Sequence, residues 1–167
     1  MKKKVLWIED QAELDLAALA GPVYTSGEYF LDVAGDASDA WEKIKKNEYD
    51  VIIVDIRIPP GDAEAFHKYF IVKGHNKNDA RLGIQLLYLL LCPEKNSEKD
   101  IFNRKLENIP SWLSKEKFGI LTVETEADVE KDRVILGINT YRRKEGISKK
   151  TILLDLIKEV VNQNKIK

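Results

Sequence analysis

The stretch Tyr49-Asp-Val-Ile-Ile-Val-Asp-Ile-Arg-Ile-Pro-Pro60 decides how the rest of this chain is read. Val51, Ile52, Ile53, Val54 and Ile56 are apolar and β-branched. Such a run predicts a strand covered on both faces, as in a parallel sheet. Asp55 closes it, with Pro59, Pro60 and Gly61 just beyond. Open α/β sheets place their ligand sites at the C-terminal ends of parallel strands. A carboxylate there serves either a site or a turn, and this stretch alone leaves both readings open.

The neighbouring segments extend the pattern outward. Val5–Ile8 is a second short apolar run, ending in the acidic pair Glu9-Asp10. Ala12–Ala20 has good helix formers and meets the breaker Gly21-Pro22, with a turn-rich loop expected over 23–28. Phe30–Ala34 reads as a strand, and a helix follows with Ala37, Ala40, Trp41 and Ile44 on one face. Beyond Asp55, Ala63–Val72 reads as a helix with Phe66, Tyr69 and Phe70 on one face, then a loop over 73–78. Asp79 is placed as the cap of an apolar helix, Leu82–Leu91, and a further helix is expected from Ser97. A short turn runs from Pro110 through Trp112 and Leu113. Phe118–Val123 is the fourth strand, Ala127–Leu136 a helix, and Gly137–Arg143 the fifth strand. Ser148 is placed as the cap of a last helix, whose stripe is Ile152, Leu153, Leu156, Ile157, Val160 and Val161. Five β-α alternations predict an α/β protein: a doubly wound parallel sheet between two helical layers. They use residues 1–167 as a single, stand-alone domain.

Composition narrows the partners. Lys plus Arg number 27 and Asp plus Glu 28, a net charge of -1. That balance makes no electrostatic case for nucleic acid or an anionic membrane. The one cysteine, Cys92, rules out an internal disulfide framework and fits a reducing compartment. The apolar run after Lys2-Lys3-Lys4 stops after four residues, too short for a signal-peptide core. The expectation is a cytoplasmic protein. His67 and His75, without a partnering Cys, do not form a zinc pattern.

In a parallel sheet the strand ends share one edge. Glu9 and Asp10, Asp55, Thr122 and Lys144 therefore converge there, with Thr125 a competing hydroxyl if the fourth strand ends later. Clustered carboxylates raise one another's pKa unless a cation sits among them, and hard oxygen ligands suit Mg²⁺. An ammonium and a hydroxyl beside them suit phosphoryl transfer, and a carboxylate can itself become an acyl phosphate.

These motifs resemble the receiver domain of two-component response regulators, the chemotaxis-type phosphoacceptor. Val5-Leu-Trp-Ile-Glu-Asp10 is similar to its first strand and acidic pair, and Val51–Pro59 to its phosphoacceptor strand and loop. Ile120-Leu-Thr122 resembles the fourth strand with its switch hydroxyl, and Gly137–Lys144 the fifth strand with its aromatic and lysine. The resemblance implies the flavodoxin-like strand order 2-1-3-4-5. It implies Asp55 as phosphoacceptor, and Mg²⁺ held by Glu9, Asp10, Asp55 and the backbone carbonyl of Arg57. Thr122 and Lys144 would contact the phosphate, and Tyr141 would reorient with Thr122. A sensor histidine kinase or phosphotransfer protein is the implied donor. A downstream protein, or a second copy, would meet the surface of Ala127–Leu136, Tyr141 and Ile152–Val161.

The sequence departs from that pattern in places. Val123 replaces a small residue, which would narrow access to Asp55, and Glu145 replaces a proline beside Lys144. Sixty-seven positions separate Asp55 from Thr122, and the surplus is placed in insertions at about 60–78 and 93–117. Their aromatics, Phe66, Tyr69, Phe70, Phe102 and Trp112, predict ordered packing. Two alternatives follow: a degenerate receiver that binds a partner unphosphorylated, and a Mg²⁺-dependent aspartyl-phosphate phosphatase. The latter needs an acidic residue two positions after its nucleophile, where Arg57 stands.

Overall fold

The computed structural model describes residues 1–11, 16–98, 106–145 and 149–165. Its centre is a parallel sheet of five strands: β1 (Lys3–Ile8), β2 (Tyr29–Ala34), β3 (Val51–Val54), β4 (Phe118–Thr122) and β5 (Thr140–Arg143). Their order is β2-β1-β3-β4-β5. Val5 pairs with Val51 and Ile8 with Val54, while Val54 pairs with Ile120 and Thr122 with Arg143. This register brings the residues after Ile8, Val54, Thr122 and Arg143 to one edge.

Both faces of the sheet are covered. Leu6, Ile8, Ile52, Val54 and Ile120 face a core built with α2 (Ala37–Lys46), α5 (Leu82–Leu91) and α6 (Glu126–Leu136). Val5, Trp7, Val51, Ile53 and Leu121 face the other core, with α1 (Gly21–Ser26) and α7 (Ile152–Gln163). Successive strand residues point to opposite faces. Because both faces are buried, β3 shows an unbroken apolar run instead of alternation.

Several boundaries differ from the sequence reading. Of the helix expected over Ala12–Ala20, residues 12–15 lie outside the described residues and Leu16–Ala20 form a π-helix; Gly21-Pro22 then begins α1, and the expected loop over 23–28 is mostly helical. Proline is tolerated in a helix's first turn, where its missing N–H has no partner to lose. The expected loop over 73–78 is part of a more structured connection. It runs from α3 (Glu64–Val72) into a one-turn helix, α4 (Lys77–Ala80), capped by the Asn76 side chain. Asp79 lies inside α4, so it does not cap α5; Arg81, left-handed at φ 46°, occupies that position. β4 ends at Thr122, and Thr125 instead caps α6 through a reciprocal bond with Asp128. Gly137 is no strand residue but the left-handed C-cap of α6 at φ 69°, so β5 starts at Thr140. The last helix follows Thr151; Ser148, its expected cap, lies outside the described residues, as do Phe102 and most of the helix expected from Ser97.

Among the described residues, the aromatics after β3 pack as expected. Phe66 and Tyr69 are buried in the α2–α5–α6 core, and Phe70 leans on it. Trp112 packs beside Tyr49, with the Lys117 ammonium over its ring. The Pro59-Pro60 turn is tied down as well. Its two carbonyls accept from Ala37 N and Ser38 N at 3.0 and 3.2 Å, closing the first turn of α2. Among the described residues, no helix is long and apolar enough to cross a membrane.

Candidate functional site

β1 and β3 deliver the acidic residues. Glu9 N donates to Ala34 O and Asp55 N to Ile8 O, both at 2.9 Å, so sheet bonding continues one residue past each strand. Glu9, Asp10 and Asp55 thus come together, with one oxygen from each within 4.8 Å of the others. Glu9 is 1% exposed and Asp55 4%. Asp55 Oδ1 accepts from Ile56 N at 2.7 Å, and Glu9 Oε1 from Gln11 N at 3.1 Å.

Lys144 reaches the trio from the end of β5. Its own N–H donates to Thr122 O at 2.7 Å, which places the residue on the shared edge. Its ammonium bonds Glu9 and lies 3.1 Å from Asp55 Oδ2. Burial alone would lower the Lys144 pKa, but the Asp55 and Glu9 carboxylates outweigh it and hold the ammonium charged. Glu9 shows the opposite balance. Burial, with Asp55 beside it, pushes its carboxyl up to about 7, although Lys144 pulls the other way. The carboxylates are short of positive charge.

That shortage, and an all-oxygen donor set, fit a hard divalent cation such as Mg²⁺. Thr122 is fully buried at the end of β4, and its hydroxyl accepts from Glu124 N at 3.4 Å. Tyr141 donates its hydroxyl to Glu124 O at 2.6 Å. Val123 is 45% exposed, a surface side chain. Glu145 pairs with Arg143 at 3.8 Å.

Three features of this edge escaped the sequence reading. The first is Lys77 of α4, whose ammonium sits 2.6 Å from Asp10 Oδ2. The second is Glu124, 4% exposed, which binds two arginines from the segment after β3. Arg57 Nε lies 3.2 Å from it and Arg81 Nη2 2.8 Å. Arg81 also pairs with Asp132 at 3.2 Å, and Tyr88 donates to the same carboxylate. These bonds offset the left-handed backbone of Arg81, a conformation that costs about 1–3 kcal/mol. The third is Gly83. A Cβ there would stand 2.0 Å from Asp55 O and 2.8 Å from Ile56 Cα. Gly83 N donates to Ile56 O at 2.9 Å, so α5 rests directly on the end of β3. A glycine inside an otherwise strongly apolar helix was the one local sign of this contact. Lys77 and Glu124 had none.

The order β2-β1-β3-β4-β5, all parallel, with helices on both faces, is the fold of response-regulator receiver domains. Solved structures of that class superpose on this chain over nearly its full length. A CheY-like receiver domain from Methanospirillum hungatei is 14% identical with a TM-score of 0.58, covering 100% of each chain. The chemotaxis regulator CheY4 of Vibrio cholerae is 17% identical with a TM-score of 0.57, over 96% of this chain and 99% of the other. The phosphorylated cyanobacterial phytochrome response regulator RcpA is 15% identical at 0.54, over 99% and 94%. At these identities the likeness is one of fold. No protein-family model and no curated protein sequence matches the chain.

Proposed function

We propose that this chain is a single receiver-type phosphoacceptor, residues 1–167, with the segments at about 60–78 and 93–117 inserted into it. Asp55 takes a phosphoryl group from a phosphohistidine of a sensor kinase or phosphotransfer protein. One Asp55 carboxylate oxygen forms the new bond to phosphorus as the P–N bond to the donor imidazole breaks, and the imidazole nitrogen keeps the electron pair. The observation that carries this reading is Lys144 Nζ, 3.1 Å from Asp55 Oδ2, beside a buried acidic trio.

Each residue has a part. Glu9, Asp10 and Asp55, with the Arg57 carbonyl, would hold Mg²⁺, which when bound neutralises charge on the transferring group. Lys144 neutralises the phosphoryl oxygens from the other side. Thr122 offers its hydroxyl to them, giving up its contact with Glu124 N. That contact lies on the β4–α6 loop, where the Tyr141 hydroxyl is also held, so phosphorylation would reach the surface through Glu124. The exposed side chains of Val123 on that loop and Val134 on α6, with half-buried Tyr141 of β5, are available to a downstream protein or a second copy. The apolar stripe of α7 is not, because Leu153, Leu156, Ile157, Val160 and Val161 are spent on the core.

Incubation with acetyl phosphate and Mg²⁺ tests the reading. The expected product is an acyl phosphate, an adduct cleaved by alkali and by hydroxylamine, absent from Asp55→Asn. No adduct on the unmodified protein, under conditions that label a competent receiver, would favour the second reading: a phosphorylation-independent binding module. The Lys77–Asp10 pair is the observation on its side.

A further inference from the structure

The cation nearest Asp10 is supplied by the chain itself. Lys77 Nζ lies 2.6 Å from Asp10 Oδ2, across 67 positions of sequence. The Asp10 side chain is 17% exposed and that of Lys77 37%, so the pair is partly shielded from water. Lys77 is also held in place from both sides. Asn76 caps α4 by accepting from Asn78 N at 2.9 Å. Asn78 Oδ1 accepts from Arg57 Nη1 at 3.4 Å. Arg81, at the end of α4, is anchored on Glu124 and Asp132. A lysine on a free loop would exchange among solvent and several carboxylates. This one is presented to Asp10 by a turn pinned at both ends.

We propose that Lys77 is a positioning residue that sets the divalent-cation affinity of the acidic site. Its ammonium neutralises Asp10 in the metal-free protein and must leave that oxygen before a cation can take it. The inference rests on the metal-site reading above, but not on phosphorylation of Asp55. Mechanistically it is a competition for one carboxylate. An ammonium offers one charge on a flexible stem, while a divalent cation offers two and shares Glu9 and Asp55. The cation wins at sufficient concentration, and the cost of displacing Lys77 appears as weaker binding. Displacement frees the Lys77 side chain from the site, while Arg57 and Arg81 keep the same segment attached to Glu124.

Metal binding is read directly by titrating Mg²⁺ calorimetrically, with Mn²⁺ and its paramagnetic relaxation as a second probe. Lys77→Met is expected to bind Mg²⁺ roughly two- to fivefold more tightly than the unmodified protein, the range for losing one partly exposed ion-pair competitor. Lys77→Arg restores weak binding. Asp10→Asn loses most of the affinity, and adding Lys77→Met to it then changes little. A lysine-acylation footprint of the unmodified protein needs no variant to fold: Mg²⁺ should increase labelling of Lys77 over the same concentrations at which it binds. Equal or weaker Mg²⁺ affinity in Lys77→Met, or Lys77 labelling unmoved by bound cation, overturns the proposal. If no variant and no unmodified protein binds Mg²⁺, the metal-site reading itself falls. If Lys77→Met binds more tightly but Asp55 never labels, only the phosphoacceptor reading falls.

Discussion

The site is assembled from two regions built on different principles. The sheet edge supplies Glu9, Asp10, Asp55, Thr122 and Lys144, each within a residue or two of a strand end and placed by backbone register. The segment after β3 supplies Arg57, Lys77 and Arg81, which reach their partners through partly exposed side chains. On the edge, two buried carboxylates share one ammonium and remain short of positive charge. In the overlying segment the three cations all find carboxylates, and the ion pairs are partly exposed. A framework determined by register can hold an unbalanced charge in place, because main-chain bonding opposes its relaxation. A side-chain bridge lasts only while its charges match.

The sharpest break in that comparison is Asp55→Asn. It should abolish the acetyl-phosphate adduct entirely while leaving the fold intact by circular dichroism. Retained label on another residue would show that Asp55 is not the acceptor. Next is Gly83→Ala, which tests whether α5 truly bears on the β3 end. A Cβ 2.0 Å from the Asp55 carbonyl must move the helix or the strand. The expected loss in urea unfolding is about 3 kcal/mol. An alanine tolerated without loss would mean that the two elements do not touch.

Glu124→Gln sharpens the other side. It keeps the shape but removes the charge that holds Arg57 and Arg81. A loss of about 2 kcal/mol is expected, with faster amide exchange in residues 123–125 and little change in Mg²⁺ affinity. A large fall in Mg²⁺ affinity would show that the two regions are not separable.

The smallest effect belongs to a pair remote from the site. Burial pushes the Asp32 carboxyl up, but hydrogen bonds from Tyr49 and Lys43 outweigh it and hold it below its ordinary 3.8. A carboxylate with a depressed folded-state pKa binds fewer protons when folded, so it stabilises the fold above about pH 4 and loses that contribution as the pH falls further. The side chain is 43% exposed, so after solvent screening Asp32→Asn should cost below about 1 kcal/mol at neutral pH. The acid limb of the stability curve should flatten. An unchanged acid limb would assign acid unfolding to other carboxylates.

Much of the edge was legible in the sequence because it is local. An apolar run followed by an acid says both "buried strand" and "strand end" within six residues, as at Ile8-Glu9-Asp10 and Val54-Asp55. Errors of boundary fell where two local signals compete. Gly21-Pro22 is a helix stop or a helix start depending on which side carries the hydrogen bonds. Gly137 extends a strand pattern but also suits a left-handed cap, and the cap prevailed because α6 ends there. Asp79 was a plausible cap until Asn76 began a helix three residues earlier.

The sequence by itself determined the alternation of strands and helices, the parallel sheet, and the gathering of Glu9, Asp10, Asp55, Thr122 and Lys144 on one edge. Hydrophobic runs and strand direction encode these locally. Only the tertiary structure decided that Lys77 would meet Asp10, that Arg57 and Arg81 would meet Glu124, and that Gly83 would let α5 rest on Asp55. Those contacts join residues 28 to 67 positions apart, and their geometry depends on how a long connection folds back over the sheet. No periodicity or spacing records that path, since lysines and arginines on polar turns have the same composition whether they face solvent or a buried carboxylate.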